Sequence, residues 1–233
     1  MSTVHVQNLS VTYPDGREAL RDVSFSVAQG ESLAILGANG AGKSTLLLAL
    51  VGVLKGSGEI IIADQKLSAS TLPEIRCITQ LVFQDPNDQL FMPVLRDDVA
   101  FGPLNFGVPR KEIPKLVTES LETVGLRSFE DRNPFNMSAG ERKRAALATV
   151  FACNPQILLL DEPTSGLDPR GRRELGELLN GSSCTKLIAT HDLQFAKETC
   201  GRAIVIINGR IAATGNIERL LDDVELIESS GLR

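Results

Sequence analysis

No part of this chain constrains its fold more than the glycine-rich segment Gly37-Ala-Asn-Gly-Ala-Gly-Lys-Ser44. It follows the short apolar run Ser32-Leu-Ala-Ile-Leu36 and opens the uncharged stretch 44–54. The spacing G-x-x-x-x-G-K-[ST] between a strand and a helix lets the backbone curl until successive N–H groups face one point. The helix N-terminus adds its positive dipole there. Such a cradle takes phosphate. Lys43 then reaches the outer phosphates of a nucleotide, and the Ser44 hydroxyl ligates Mg²⁺. A turn that only opens a helix is the plain alternative, and the strand before and helix after argue against it.

The remaining patterns predict a scaffold for that cradle. Runs 32–36, 157–160 and 186–190 are apolar without alternation, which suits strands buried on both faces of a parallel sheet. The first thirty residues alternate instead. Val4, Val6, Leu9, Val11 and Tyr13 precede Pro14-Asp-Gly16, and Val23, Phe25 and Val27 follow, so two strands joined by a turn are expected. Ala203-Ile-Val-Ile-Ile207, Asn208-Gly209 and Ile211-Ala-Ala-Thr214 spell a hairpin with a type I′ turn. Helices are predicted at 44–54 and 169–180, the second with Pro169 near its first turn and Gly181 as its stop. Residues 85–152 carry helical spacing, seen in Ile113, Leu116, Val117, Leu121 and Val124 before Gly125, and predict a helical insertion. From residue 216 onward, Ile217, Leu220, Leu221 and Val224 predict one or two short amphipathic helices.

Composition excludes several classes. With 24 Lys and Arg against 29 Asp and Glu, the net charge is -5, so no basic footprint for a nucleic-acid partner exists. At 42% hydrophobic and 23% charged residues, the chain fits neither a disordered segment nor a coiled coil. Apolar runs such as 44–54 fall short of the roughly 20 residues a membrane-spanning helix needs. The N-terminus lacks the basic and apolar regions of a signal peptide. Cys77, Cys153, Cys184 and Cys200 form no C-x-x-C pair, and His5 and His191 are the sole histidines, so reduced thiols in a cytosolic chain without zinc are expected.

Ile157-Leu-Leu-Leu-Asp161-Glu162 supplies the second half of the chemistry. A carboxylate at the end of a buried strand lands beside the phosphate loop, where Asp161 holds the Mg²⁺ shell. Glu162 follows and is placed to orient or deprotonate an attacking water. Alone, this run could be a strand ending in two solvated acids. Paired with the loop, it reads as a nucleotide triphosphatase, and the absence of an Asn-Lys-x-Asp motif disfavours guanine.

These motifs, in this order and over nearly the whole chain, resemble the ATP-binding-cassette (ABC) ATPases. The resemblance implies an α/β fold: a P-loop NTPase (RecA-like) parallel-sheet core, an N-terminal antiparallel β subdomain and an inserted helical subdomain. Residues 1–233 would form one ATPase domain, with 1–84 and 153–233 as the nucleotide-binding core and 85–152 as the helical subdomain. ATP would be held by Tyr13, stacked on adenine, and by Gly37, Ala38, Asn39, Gly40, Ala41, Gly42, Lys43, Ser44 and Thr45. Mg²⁺ would be held by Ser44, Gln84 and Asp161, and catalysis carried by Glu162, His191 and Gln84. Met137-Ser-Ala-Gly-Glu141 stands in the place of the family signature, so Ser138, Ala139, Gly140 and Glu141 would face a partner subunit's nucleotide. Asp168 in Ser165-Gly-Leu-Asp168 would belong to the loop that crosses the dimer interface. The usual signature is Leu-Ser-Gly-Gly-Gln; here Met137, Ala139 and Glu141 depart from it, and Ala139 brings a Cβ close to that nucleotide. Plainer readings stand beside these. Ser138 to Glu141 is also a capping box, compatible with an anion site at a helix N-terminus. His191 alone would be a strand-end histidine, and Tyr13 an exposed strand aromatic.

Val82-Phe-Gln-Asp-Pro-Asn-Asp-Gln-Leu-Phe91 and Asp97-Asp-Val-Ala-Phe-Gly-Pro-Leu-Asn105 narrow the resemblance to ATPases of energy-coupling-factor (ECF) importers, the cobalt, nickel and vitamin group. That implies a homodimer or a heterodimer with a related ATPase, peripheral on the cytoplasmic face of the membrane. A membrane scaffold protein would dock near Gln84–Phe91, with Asp88, Gln89, Leu90 and Phe91 lining its groove, and a separate membrane protein would capture the substrate. A loop with Leu90 and Phe91 tucked into the core is the alternative there. At the level of the assembly the alternatives are a conventional ABC importer with two permeases and a soluble, non-transport ABC ATPase.

Overall fold

The computed structural model describes residues 2–232; the expected outer bounds 1 and 233 lie outside the described residues. Its strands fall into two sheets according to the pattern each carries. The alternating strands β1 (Ser2–Thr12) and β2 (Glu18–Ala28) pair antiparallel across Pro14-Asp-Gly16. β4 (Ser57–Ile62) and β5 (Gln65–Lys66) extend this sheet in the order β2-β1-β4-β5. Val4, Val6, Leu9 and Val11 are buried while Gln7 and Thr12 are exposed, which is the alternation a one-face-buried sheet requires.

The second sheet has the order β10-β9-β3-β8-β7-β6. β3 (Ser32–Leu36), β6 (Thr79–Val82), β7 (Ile157–Asp161), β8 (Thr185–Thr190) and β9 (Arg202–Ile207) are mutually parallel, and β10 (Arg210–Asn216) returns antiparallel. Every residue of β7 and β8 is buried, as runs without alternation predict. The β9–β10 turn has positive φ at both Asn208 (49°) and Gly209 (77°), the geometry a type I′ hairpin demands. β3 divides the core. Leu33 and Ile35 join the apolar cluster shared with the antiparallel sheet, and Ala34 and Leu36 join the one shared with the helices on the other face.

α1 (Lys43–Leu50) follows β3 and ends four residues before the predicted boundary. Val53 N–H donates to Leu48 O and Gly52 N–H to Ala49 O, a Schellman closure that turns the chain before Leu54. α2 (Leu72–Ile78), β4, β5 and β6 had no sequence expectation. β6 has four residues and α2 seven, too few for a period to emerge. Between β6 and β7 come α3 (Leu95–Asn105), α4 (Ile113–Thr123) and α5 (Ala139–Phe151). α4 buries Ile113, Val117 and Leu121 on the predicted face. α6 (Pro169–Gly181) takes Gly181 as its last helical residue rather than its stop. α7 (Leu193–Thr199), α8 (Ile217–Asp222) and α9 (Val224–Ser229) complete the chain. Among the described residues no helix is long and apolar enough to cross a membrane.

Candidate nucleotide site

The loop after β3 is shaped by its neighbours. A Cβ at Gly37 would lie 2.5 Å from the Ile206 carbonyl oxygen of β9, and one at Gly42 would lie 2.7 Å from Ala19 O, so side chains are barred where these strands pinch it. Gly42 (φ 115°) is the N-cap of α1 and offers no side chain to its first turn. The first N–H groups of α1 therefore stay free for an anion. Lys43, buried, donates from Nζ to Gly37 O (2.8 Å) and Ala38 O (3.2 Å) and lies 3.1 Å from Glu162 Oε1.

Above this loop is an open cavity of about 590 Å³, lined by residues that include Tyr13, Asn39, Gly40, Ser44, Thr45, Gln84 and Glu162. The Tyr13 hydroxyl bonds Thr45 Oγ1 at 3.0 Å, and the Arg17 guanidinium lies 4.8 Å from the Tyr13 ring centroid. Arg17 carried no sequence signal, since an arginine after a turn is ordinary.

β7 delivers both carboxylates. Glu162, just past the strand, has φ 44°, a left-handed backbone that a side chain rarely adopts. Its N–H donates to Ala189 O at 2.8 Å. Its Oε2 accepts from Thr190 Oγ1 (3.2 Å) and the His191 N–H (3.3 Å) and lies 2.9 Å from His191 Nδ1. Burial alone would raise the pKa of this carboxyl, but the His191 hydrogen bond and the Lys43 charge together hold it below the ordinary range. Asp161 goes the other way. Burial pushes it up, against a hydrogen bond from the Ser44 side chain. Among the described residues no donor meets Asp161 Oδ1. A hydroxyl beside an orphaned buried carboxylate oxygen fits Mg²⁺, which binds proteins through one or two oxygen ligands and completes its shell with phosphate and water.

Ser138 caps α5 as a complete capping box: Glu141 N–H donates to Ser138 Oγ (3.3 Å), and Ser138 N–H donates to Glu141 Oε2 (2.7 Å). That backbone bond holds the Glu141 carboxyl low. Asp168 caps α6, accepting from Gly171 N–H at 2.7 Å. The structure thus gathers Tyr13, Lys43, Ser44, Thr45, Gln84, Asp161, Glu162 and His191, while Ser138 to Glu141 and Asp168 lie outside the cavity lining.

The segment after Gln84 corrects the expected groove. Leu90 is 1% exposed, and the Gln89 side chain turns inward to Phe83 N–H (3.2 Å), Ala146 O (2.8 Å) and Thr149 Oγ1 (2.7 Å). These internal bonds keep Gln89 and Leu90 from lining a surface groove and leave Asp88 and Phe91 exposed. Phe91 meets Phe101 edge-on at 5.0 Å, and Leu104 is exposed on the same helix, α3. Buried Asp98 holds the loop by accepting from Phe91 N–H and Met92 N–H, each at 3.0 Å. Lys143 also escaped the sequence reading. It lies on the buried face of α5 with Leu147 and Val150, a spacing that could have drawn notice, and burial lowers its pKa to about 8.

A phosphate-binding loop closed by a strand-end carboxylate pair defines a P-loop nucleoside triphosphatase. The ABC transporter family matches residues 20–165, more than half of the chain, and the chain belongs to it as an ATP-binding subunit. It is 41% identical to the energy-coupling factor transporter ATP-binding protein EcfA of Methanocaldococcus jannaschii over 100% of this chain and 86% of that protein. The structure of cbiO1 from Clostridium perfringens, part of the ABC transporter complex cbiONQ, superposes with TM-score 0.85 and 36% identity, covering 100% of this chain and 95% of that one. The ATP-binding cassette MJ0796, a dimer bound to ADP and Pi in a post-hydrolysis state, gives TM-score 0.83 and 28% identity over 92% and 98% of the two chains. Hydrolysis of ATP with Mg²⁺ is the activity of this family.

Proposed function

We propose that this chain is the ATP-hydrolysing subunit of an ECF-type importer, driving uptake of a divalent metal ion such as cobalt or nickel, or of a vitamin. The observation that carries the reading is the exposed aromatic surface of Phe91, in the segment that follows Gln84, and of Phe101 with Leu104 on α3. Apolar surface beside a loop that reaches the nucleotide cavity suits a coupling element of a membrane scaffold. Likeness to EcfA and to cbiO1 of the cbiONQ complex supports the same assembly.

In this reading residues 85–152 act as a helical subdomain on a core of 1–84 and 153–233. Tyr13 stacks on adenine, and residues 37–45 cradle the phosphates with Lys43 on the outer pair. Ser44, Asp161 and Gln84 hold Mg²⁺, which when bound draws charge from the phosphate oxygens. Glu162, ionised and oriented by His191, takes the proton of the attacking water, and Gln84 positions that water. Ser138, Ala139, Gly140 and Glu141 complete the site of a second subunit, identical or closely related, and Asp168 packs across the interface. The subunit sits on the cytoplasmic face of the membrane.

The test is capture of the tagged chain from native membranes in mild detergent, with partners identified by mass spectrometry. One scaffold-type membrane protein with a small substrate-capture protein is expected. Two related permeases would replace the ECF reading by a conventional importer, and capture of no membrane protein would overturn the transport role.

A further inference from the structure

We propose that Lys143 is a positioning residue for hydrolysis: its ammonium ties the signature helix to the two backbone segments that carry Gln84 and Glu162. The proposal rests on the roles given above to those two side chains. Lys143 is 2% exposed, and Nζ donates to Gln84 O at 2.8 Å, Glu162 O at 3.3 Å and Phe83 O at 3.5 Å. An ammonium has three donors, and the acceptors within reach here are backbone carbonyls rather than carboxylates, Gln84 O the nearest. The acceptors lie just beyond β6 and β7, neighbours in the sheet. A loop from one strand and a loop from the next are therefore clamped by one side chain that belongs to neither.

The clamp acts where backbone geometry decides the chemistry. Glu162 holds its left-handed φ of 44° with its N–H on Ala189 O at 2.8 Å and its carbonyl on Lys143. That peptide fixes the direction in which the carboxylate leaves the chain, and such conformations persist only where the surroundings over-determine them. On the other segment, Gln84 is exposed and among the described residues its side chain has no hydrogen-bond partner, while its carbonyl is held by Lys143. Two groups meant to address one water are thus registered against each other through a third residue.

The location of that residue matters as well. Lys143 is in the second turn of α5, whose cap is Ser138. The same ammonium thereby links the helix capped by Ser138 to the carbonyls of Gln84 and Glu162. An apolar side chain would fill the same buried face beside Leu147 and Val150 without making that link.

The experiment compares Lys143→Met, which keeps the stem and loses the donors, with the unaltered full chain in steady-state Mg-ATP hydrolysis. It is run alone and in a Gln84→Ala background, with Glu162→Gln as control. Misplacement by an ångström costs on the order of 10²-fold, so Lys143→Met is expected to lose about tenfold or more in kcat with KM held within about threefold. Groups that act as a unit are not additive, so in the Gln84→Ala background the further loss should shrink to about threefold or less. An unchanged kcat, a loss confined to KM, or losses that multiply in full overturn the proposal. If Lys143→Met fails to fold by circular dichroism, Lys143→Leu, which also lacks donors, is judged on the same criteria. Near-normal turnover by Glu162→Gln would overturn the reading of Glu162 and this inference with it. An inactive Glu162→Gln beside a fully active Lys143→Met overturns the inference alone.

Discussion

Glu162 takes opposite contacts on its two oxygens: Lys43 Nζ lies 3.1 Å from Oε1, and His191 Nδ1 lies 2.9 Å from Oε2. A carboxylate so held stays ionised at neutral pH and keeps one direction, as a base for water must. Glu162→Gln preserves shape and most polar contacts but removes the ability to accept a proton. ATP affinity, followed by titration with a fluorescent analogue, should be retained, while phosphate release falls by roughly 10²-fold or more. Turnover near the unaltered rate would remove Glu162 from the role. The meeting of Lys43, Ser44, Asp161 and Glu162 was legible because it depends on fixed local spacing at the ends of two buried runs. Lys143 was not, because it works through carbonyls of Gln84 and Glu162, the first of them 59 positions away, and any residue there would present the same carbonyl.

At the scale of elements, legibility followed length and environment. The parallel strands announced themselves by continuous burial, and the β9–β10 hairpin by Asn208-Gly209. α1 stops short of its apolar run, which continues through Leu54, because a Schellman closure set by two backbone bonds ends the helix at Leu50. Leu90 and Phe91 are adjacent and both apolar, yet one is 1% and the other 53% exposed. Leu90 joins the core cluster, while the inward bonds of Gln89 and the Asp98 clamp fix the loop around it, and all of these are tertiary. The packing of α3 on α5 has a comparable hidden constraint. A Cβ at Gly102 would lie 2.4 Å from Cys153 Sγ, whose thiol is tied to Thr149 O. Gly102→Ala should overpack this contact and cost about 1–3 kcal/mol in urea unfolding. Adding Cys153→Ala should make the double variant more stable than strict addition of the two losses predicts, because the clash is shared. Full additivity would place the cost elsewhere.

For the whole molecule, the cavity around Lys43 and the capping box at Ser138 lie apart within one chain, which fits a site completed between two copies. Glu162→Gln with Mg-ATP should therefore elute as a dimer in size exclusion, and adding Ser138→Arg, which crowds the helix terminus meant for a partner's phosphate, should return it to monomer. A monomer without the second change would count against the shared site. The docking surface proposed for a membrane partner is tested separately. Phe91 and Phe101 are 53% and 44% exposed and lie outside the core, so replacing both with serine should cost no more than about 3 kcal/mol of stability. Their edge-on pair is the only aromatic pair among the described residues and stands clear of the nucleotide cavity. Aromatic anchors at the centre of an interface commonly cost 2 kcal/mol or more each when truncated, about thirtyfold in affinity. Capture of membrane partners by the double variant should thus fall at least tenfold, by roughly 1.4 kcal/mol or more, while ATP hydrolysis by the isolated chain is unchanged. Undiminished capture would move the docking surface away from α3, and lost hydrolysis would mean that these rings support the Gln84 loop rather than a partner.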